Sequence, residues 1–101
     1  MTFNPAEEID NEKAHSIIRD IVSGGEVIVS SHAKKRMIER RYSMQDVEHI
    51  LTRGKITRKE LKDTTHSWAY TIKGDDLEGD EGGVVTVIVS RQACAIITVL
   101  G

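Results

Sequence analysis

The sequence predicts an α+β fold in which N-terminal helices pack on a C-terminal antiparallel sheet of three to four strands. In the first half of the chain, apolar residues recur at helical spacing. In the second half the pattern changes to β-rich runs separated by Gly-rich turns. Helices followed by strands are typical of α+β proteins, and 101 residues suffice for one modest core. We therefore predict a flexible arm over residues 1–9 and a single domain over residues 10–101.

A first helix is predicted to begin at Asp10 or Asn11, either of which is a good N-cap. The pair Gly24-Gly25 ends it. Residues 26–29 then have the composition of a short strand. The apolar stripe of the helix consists of Ala14, Ile17, Ile18, Ile21 and Val22.

Two further helices follow, joined by a tight turn. Ser30 or Ser31 can cap a strongly basic helix of about three turns. Ser43 and Asp46 have the spacing of a capping box, which predicts a third helix that ends near Gly54.

The predicted strands differ in their polarity. The run at 55–62 is polar on one face, which is typical of an edge strand, whereas 84–89 and 95–99 are apolar on both faces, as in central strands covered by helices. Residues 74–83 form an acidic, Gly-rich hairpin loop. The β-rich runs are 55–61, 67–73, 84–90 and 94–100.

Positive charge is concentrated in one segment. Residues 30–62 contain ten of the fourteen Lys and Arg, so this segment carries about +6 and the remainder about −8. A local positive field attracts polyanions whatever the net charge of the chain. RNA and an acidic protein are both candidate partners, and a solvated helix face is the simpler interpretation.

Other classes of protein are disfavoured. No apolar run approaches the roughly 20 residues that cross a bilayer, so we expect no membrane association. The single cysteine, Cys94, lies in an apolar run, where a thiol behaves as a small hydrophobe, as expected of a cytoplasmic protein. Metal-ligand motifs are missing from the sequence, and we expect neither a metal nor a cofactor.

Cleavage of RNA without a metal requires a base, an acid and cations around the phosphate. His32 can exchange a proton near neutral pH, while Arg36 and Arg40 lie on its stripe of the basic helix and can bind phosphate. Tyr70 can protonate a leaving group or stack on a base. The predicted RNA-binding residues are Lys35, Lys59, Lys62, His66 and Arg91.

Each of these residues also has a structural interpretation. His32 can cap its helix and bond to a neighbouring strand, and the two arginines can pair with carboxylates. Tyr70 shares a strand face with Trp68 and can belong to the core.

Part of the chain resembles a known family. The resemblance to domain-of-unknown-function family 4258 covers about residues 26–100, and its motifs are Ser31-His32-Ala33, Arg36-Met37, Glu39-Arg40, Tyr42-Ser43, Asp46-Val47-Glu48, Leu51 and Gly54. That family is similar to the RelE/ParE-like bacterial toxins, notably the motility quorum-sensing regulator type of mRNA interferase. The resemblance implies a RelE-like fold and a metal-independent endoribonuclease silenced by a cognate antitoxin. It matches Tyr70 to a strand tyrosine of those toxins, and Lys59 or Lys62 to a basic residue ahead of it, whereas Thr86-Val87 replace a lysine on the penultimate strand.

Two alternatives remain open. A non-catalytic module could dock an acidic protein or a nucleic acid through the basic segment 31–62. A helix-turn-helix over residues 31–54 could bind DNA, although Asp46 and Glu48 make its second helix a poor surface for reading a groove.

Overall fold

A computed structural model describes residues 3–101, which fold into three helices and one five-stranded sheet. In chain order the elements are α1 Asn11–Gly24, β1 Glu26–Val29, α2 Ser31–Arg40, α3 Met44–Arg53, β2 Lys55–Lys62, β3 Ser67–Asp75, β4 Glu81–Ser90 and β5 Ala93–Leu100.

The sheet has the strand order β1-β5-β4-β3-β2. The α+β class is confirmed, and β2 is an edge strand as predicted. The expected sheet of three to four antiparallel strands is wrong, because β1 adds a fifth strand that runs parallel to β5. This pairing joins Val27 to Cys94, and contact between residues so far apart in sequence leaves no local pattern to detect.

The predicted helix caps are confirmed. The side chain of Asp10 accepts a hydrogen bond from the backbone N–H of Lys13 at 2.7 Å, and α1 ends at Gly24. Ser30 caps α2 by accepting from the N–H of Ala33 at 3.0 Å. These bonds satisfy donors that the first turn of a helix cannot pair internally.

Helix α3 begins with a complete capping box. The hydroxyl of Ser43 accepts from the N–H of Asp46 at 3.1 Å, and the carboxylate of Asp46 accepts from the N–H of Ser43 at 2.9 Å. The same carboxylate accepts from the N–H of Leu77 at 3.1 Å, which ties the hairpin loop to α3. The hydrogen bond from the Ser43 backbone is the main reason why the pKa of Asp46 lies below its ordinary value.

The Asp46→Asn variant should be less stable than the wild type by about 1 kcal/mol at neutral pH, because the charged cap is lost. Since the folded-state pKa of Asp46 is lowered, its stabilising effect is present above the ordinary value of 3.8 and is lost as the pH falls through the lower folded value. Urea denaturation at several pH values measures this difference, with Asp20→Asn on the exposed face of α1 as the control. A difference between Asp46→Asn and wild type that grows on acidification would contradict the assignment.

The core lies on one face of the sheet, which we call the helix-bearing face. Its residues on β3 and β4 occupy alternate positions, and the ladder pairs Tyr70 with Thr86 and Thr86 with Ile96. On β5 a register shift after Ile96 brings Val99 to the same face. Over residues 3–101, no helix covers the opposite, helix-free face, so the expectation that β4 and β5 are covered on both faces is corrected. The core cluster comprises Ala14, Ile17, Ile18, Ile21, Ala33, Val47, Ile50, Leu51, Tyr70, Ile72, Val84, Ile88, Cys94, Ile96 and Val99.

Residues 3–9, which we call the N-terminal strap, lie against β3. The backbone N–H of Trp68 donates to the carbonyl of Pro5 at 3.0 Å, and its indole N–H donates to the carbonyl of Ala6 at 3.1 Å. Phe3 and Ile9 are half-buried against the core. The remainder of the predicted arm, residues 1 and 2, lies outside the described residues.

Candidate nucleic-acid interface

The helix-free face carries a groove across the sheet. A ladder row runs from Arg58 on β2 through Thr71 and Val85 to Thr98 on β5. It crosses three inter-strand spacings, about 14 Å in all. The cavity over this row measures about 250 Å³ and is lined by Arg58, Glu60, Lys62, Ala69, Thr71, Val85, Ile97, Thr98 and Leu100.

A second cavity of about 340 Å³ continues the first along the same face. Leu100 lines both, and the ladder row Lys73, Gly83 and Leu100 forms the floor of the second. We call the two cavities together the sheet groove. Its floor consists of Lys73 and of short or apolar side chains, Arg58 and Lys62 stand at one margin, and Glu60 and Glu81 also line it. These cations are placed to contact an extended polyanion.

Strand β2 forms one wall of the sheet groove. Glu60 is shared between two cations, Arg58 at 3.2 Å and Lys62 at 3.5 Å. The Arg58 side chain is 72% exposed. Exposed ion pairs of this kind contribute little stability, so both cations can exchange the carboxylate for a phosphate.

Helix α2 borders the groove on its other side, where β1 is shorter than β5, and its side chains contact the lining residues Thr98 and Gly101. We call this side the α2 wall. The β1 pairing ends where Val29 meets Ile96, and Ser30 then caps α2 while its N–H and hydroxyl donate to the carbonyls of Ile96 and Ile97 at 3.2 and 3.3 Å. At the far end of α2, the Tyr42 hydroxyl donates to the carbonyl of Leu100 at 2.6 Å. Helix α2 is thus fastened at both ends along the edge that β1 leaves free.

The predicted catalytic stripe of α2 follows this edge. His32 is exposed, and its Nε2 lies 3.3 Å from the Thr98 hydroxyl at the groove margin. Arg40 donates to the carbonyl of Gly101 at 2.8 Å, beside the second cavity. Arg36 lies between them and forms a long ion pair of 3.7 Å with Glu39. The structure therefore brings His32 and Arg40 to the groove, with Arg36 between them on the same helix, and Lys35 is exposed on that helix too.

Tyr70 does not open onto this groove, and the expectation that it meets the α2 cations is wrong. Its side chain is 2% exposed and belongs to the core on the helix-bearing face. The neighbouring Ala69 and Thr71 line the groove instead. Burial, with a smaller effect from the charge of Glu8, raises the pKa of the Tyr70 phenol above its ordinary value.

Lys59 is also on the helix-bearing face, because a β-bulge lies between Ile56 and Arg58. The extra residue, Thr57, shifts the alternation, so that Ile56 pairs inward with Ile72 while Arg58 faces outward. Simple alternation would place Ile56 and Arg58 on the same face. The groove cation Arg58 was missed for this reason, and only the polar composition of β2 could have indicated it.

The other predicted RNA-binding residues are dispersed. Lys62 lines the groove. His66 is exposed in the turn between β2 and β3, with a left-handed φ of 52°. Arg91 follows β4 and lines a cavity of about 80 Å³ with Phe3 and other residues near the strap, away from the groove.

Few of the described residues are suited to metal binding, membrane insertion or thiol catalysis. Within residues 3–101, no three His, Cys, Asp or Glu side chains are grouped as metal ligands. None of the helices described above is long and apolar enough to cross a membrane. Cys94 is buried, and desolvation raises the pKa of its thiol, which disfavours a nucleophilic thiolate.

A five-stranded mixed sheet with helices on one face and a groove across the other defines a small α+β protein. The chain belongs to the family described as Domain of unknown function (DUF4258), whose model matches residues 29–100. The match contains α2 and every strand of the groove but leaves out the strap and α1. No curated protein and no solved structure matches the chain.

Proposed function

We propose that this protein binds single-stranded RNA in the sheet groove and cleaves it without a metal, as its resemblance to the RelE/ParE-like toxins implies. The observation that carries the proposal is the position of His32, which stands at the margin of a cation-lined groove with its Nε2 at 3.3 Å from the Thr98 hydroxyl. The proposed partners are RNA and a cognate antitoxin protein.

The groove supplies the parts that the reaction needs. His32 would take the proton of the 2′-hydroxyl as that oxygen bonds to phosphorus, and its imidazolium would then give the proton to the 5′-oxygen whose bond to phosphorus breaks. Arg36 and Arg40, on the same helix, would stabilise the charge that develops on the phosphate. Arg58 and Lys62 on the opposite wall would hold the RNA backbone, and Tyr70 has no part in this chemistry because it is buried.

A second candidate function is a non-catalytic docking module. It is favoured by the burial of Tyr70, which leaves His32 as the one predicted proton-transfer residue at the groove. Cleavage in the presence of EDTA, followed on a labelled single-stranded RNA, separates the two functions. A binding module would retain the RNA intact.

The Arg58→Ala/Lys62→Ala variant should bind single-stranded RNA about tenfold more weakly, because it removes two phosphate contacts from one wall. The slope of log affinity against log salt should fall by about 1.4, at about 0.7 per phosphate contact of a single strand. Fluorescence anisotropy of a labelled oligonucleotide measures both quantities.

The matched control is Lys13→Ala/Arg91→Ala, which removes the same charge at the cavity near the strap. It should leave the affinity and the salt slope nearly unchanged. Equal losses in the two double variants would show that binding depends on net charge and not on the groove.

A further inference from the structure

Three side chains that the groove does not use form a cluster on the helix-bearing face. Lys59 holds its ammonium 5.9 Å from the centroid of the Trp68 ring, which is a cation–π distance. Tyr70 pairs with Lys59 in the ladder between β2 and β3. A lysine beside aromatic rings is a common platform for single-stranded nucleic acid, since the ammonium binds a phosphate and a ring stacks on a base.

The donors of this cluster are bound by hydrogen-bond acceptors of the N-terminal strap. The ammonium of Lys59 contacts the Glu8 carboxylate at 2.9 Å and the Ile9 carbonyl at 3.1 Å. The Trp68 indole N–H donates to the Ala6 carbonyl at 3.1 Å. A carboxylate on the lysine and carbonyl oxygens around the rings have the chemistry of an RNA phosphate and the acceptor groups of its bases.

The ion pair that holds the strap is weak enough for another anion to replace the Glu8 carboxylate on Lys59. The Glu8 side chain is 57% exposed, so its ion pair with Lys59 is screened by salt. Lys59 itself is only 25% exposed, and the strap residues Glu8 and Ile9 are among its contacts. The strap precedes the region matched by the family model, which starts at residue 29, whereas Lys59 and Trp68 lie within that region.

We infer that the strap is a displaceable cover over a second site for single-stranded RNA, formed by Lys59 and Trp68. This inference rests on the proposed RNA-binding function and adds a second RNA site whose access the strap controls. When the strap leaves, an RNA phosphate replaces the Glu8 carboxylate on Lys59 and a base stacks on Trp68. Lys59, which was predicted to bind RNA on sequence grounds, then serves a gated site separate from the sheet groove.

Trp68 is the only tryptophan of the chain, so its fluorescence reports on this site alone. The Glu8→Lys variant places a cation against Lys59 and should open the strap, with increased acrylamide quenching of Trp68. Glu7→Lys is the matched control, since it adds the same charge at the neighbouring exposed position. We expect an oligouridylate to quench Trp68 in Glu8→Lys with about fivefold higher affinity than in Glu7→Lys.

Two further variants locate the binding. Adding Lys59→Ala to Glu8→Lys should abolish the quenching of Trp68 by RNA, whereas adding Arg58→Ala/Lys62→Ala should preserve it. Circular dichroism of each variant establishes that it is folded. A deletion of residues 1–9 opens the site by a second route if Glu8→Lys does not fold.

The outcomes separate this inference from the groove proposal. The inference is overturned if acrylamide and RNA quench Trp68 equally in Glu8→Lys and Glu7→Lys. If RNA quenches Trp68 in Glu8→Lys while groove binding is not detected in the wild type, the groove proposal fails and the gated site stands. If the groove binds RNA and RNA leaves Trp68 unquenched in Glu8→Lys, the groove proposal stands and the gated site is rejected.

Discussion

Replacement of Gly54 by alanine should destabilise the fold by about 3 kcal/mol, at the upper end of the usual cost of overpacking. A Cβ at this position would lie 2.6 Å from the carbonyl oxygens of both Ile50 and Lys73 and 2.8 Å from a methyl group of Ile72. Two of these three neighbours are backbone atoms, which cannot move without disturbing α3 or β3. The φ of Gly54 is −75°, so space and not backbone conformation excludes the methyl group.

Gly24 provides the matched control for this prediction. It is the last residue of α1, and a Cβ there would meet nothing within 4 Å. Gly24→Ala should therefore leave the stability unchanged or raise it by up to about 1 kcal/mol through helix propensity. Urea denaturation followed by Trp68 fluorescence measures both variants. Similar midpoints for the two would show that the close packing at Gly54 contributes nothing.

The close approach at Gly54 also positions the groove. Gly54 joins α3 to β2. A Cβ added to Gly74 of β3 would lie only 2.8 Å from the Cα of Gly54. Two glycines in contact let the start of β2 lie directly against β3. We therefore expect Gly54→Ala to displace the wall that carries Arg58 and Lys62, and to weaken RNA binding in whatever fraction remains folded.

The local elements of the fold could be predicted from the sequence because their signals are local. Asp10, Ser30 and Ser43 cap the three helices as expected, since each cap depends on residues within one turn. The fifth strand could not be predicted as part of the sheet. Its parallel partner lies about 67 positions later in the chain, and four residues carry too little pattern to specify a partner.

The candidate site was only partly predictable, for reasons of register. The spacing of His32, Arg36 and Arg40 places them on one stripe of α2, and the structure retains that stripe along the edge of β5. On β2, one bulge turns Lys59 inward and Arg58 outward. Tyr70 was assigned a face shared with Trp68 from the alternation of β3, but alternation alone does not say which face the helices cover.

The edge beside β5 explains why His32 is the α2 residue that stands beside Thr98 at the groove margin. Ser30 fixes the start of α2 against Ile96 and Ile97, so the second residue of the helix falls beside Thr98. The imidazole lies 3.3 Å from that hydroxyl, whereas Arg40, further along α2, donates to the carbonyl of Gly101. This geometry makes His32 the residue whose loss should affect the proposed reaction most.

The His32→Ala variant should cleave single-stranded RNA at least about 100-fold more slowly, which is the usual minimum contribution of a positioned acid or base. Affinity for the RNA should change little, because Arg36, Arg40 and the β2 wall remain. The loss should therefore appear in kcat and not in KM, as expected of an interaction made in the transition state. Single-turnover cleavage with EDTA present measures the rate, and growth after induced expression provides the cellular readout.

His66→Asn is the control for this experiment, because it removes an exposed histidine while asparagine tolerates the left-handed φ of 52°. It should cleave at the wild-type rate. A Thr98→Val variant should slow cleavage less than His32→Ala, since it removes only the hydroxyl 3.3 Å from the imidazole. If His32→Ala cleaves as fast as the wild type, proton transfer by this residue is excluded. The sheet groove is then a docking surface for RNA or for an acidic protein, with no catalytic role at its α2 wall.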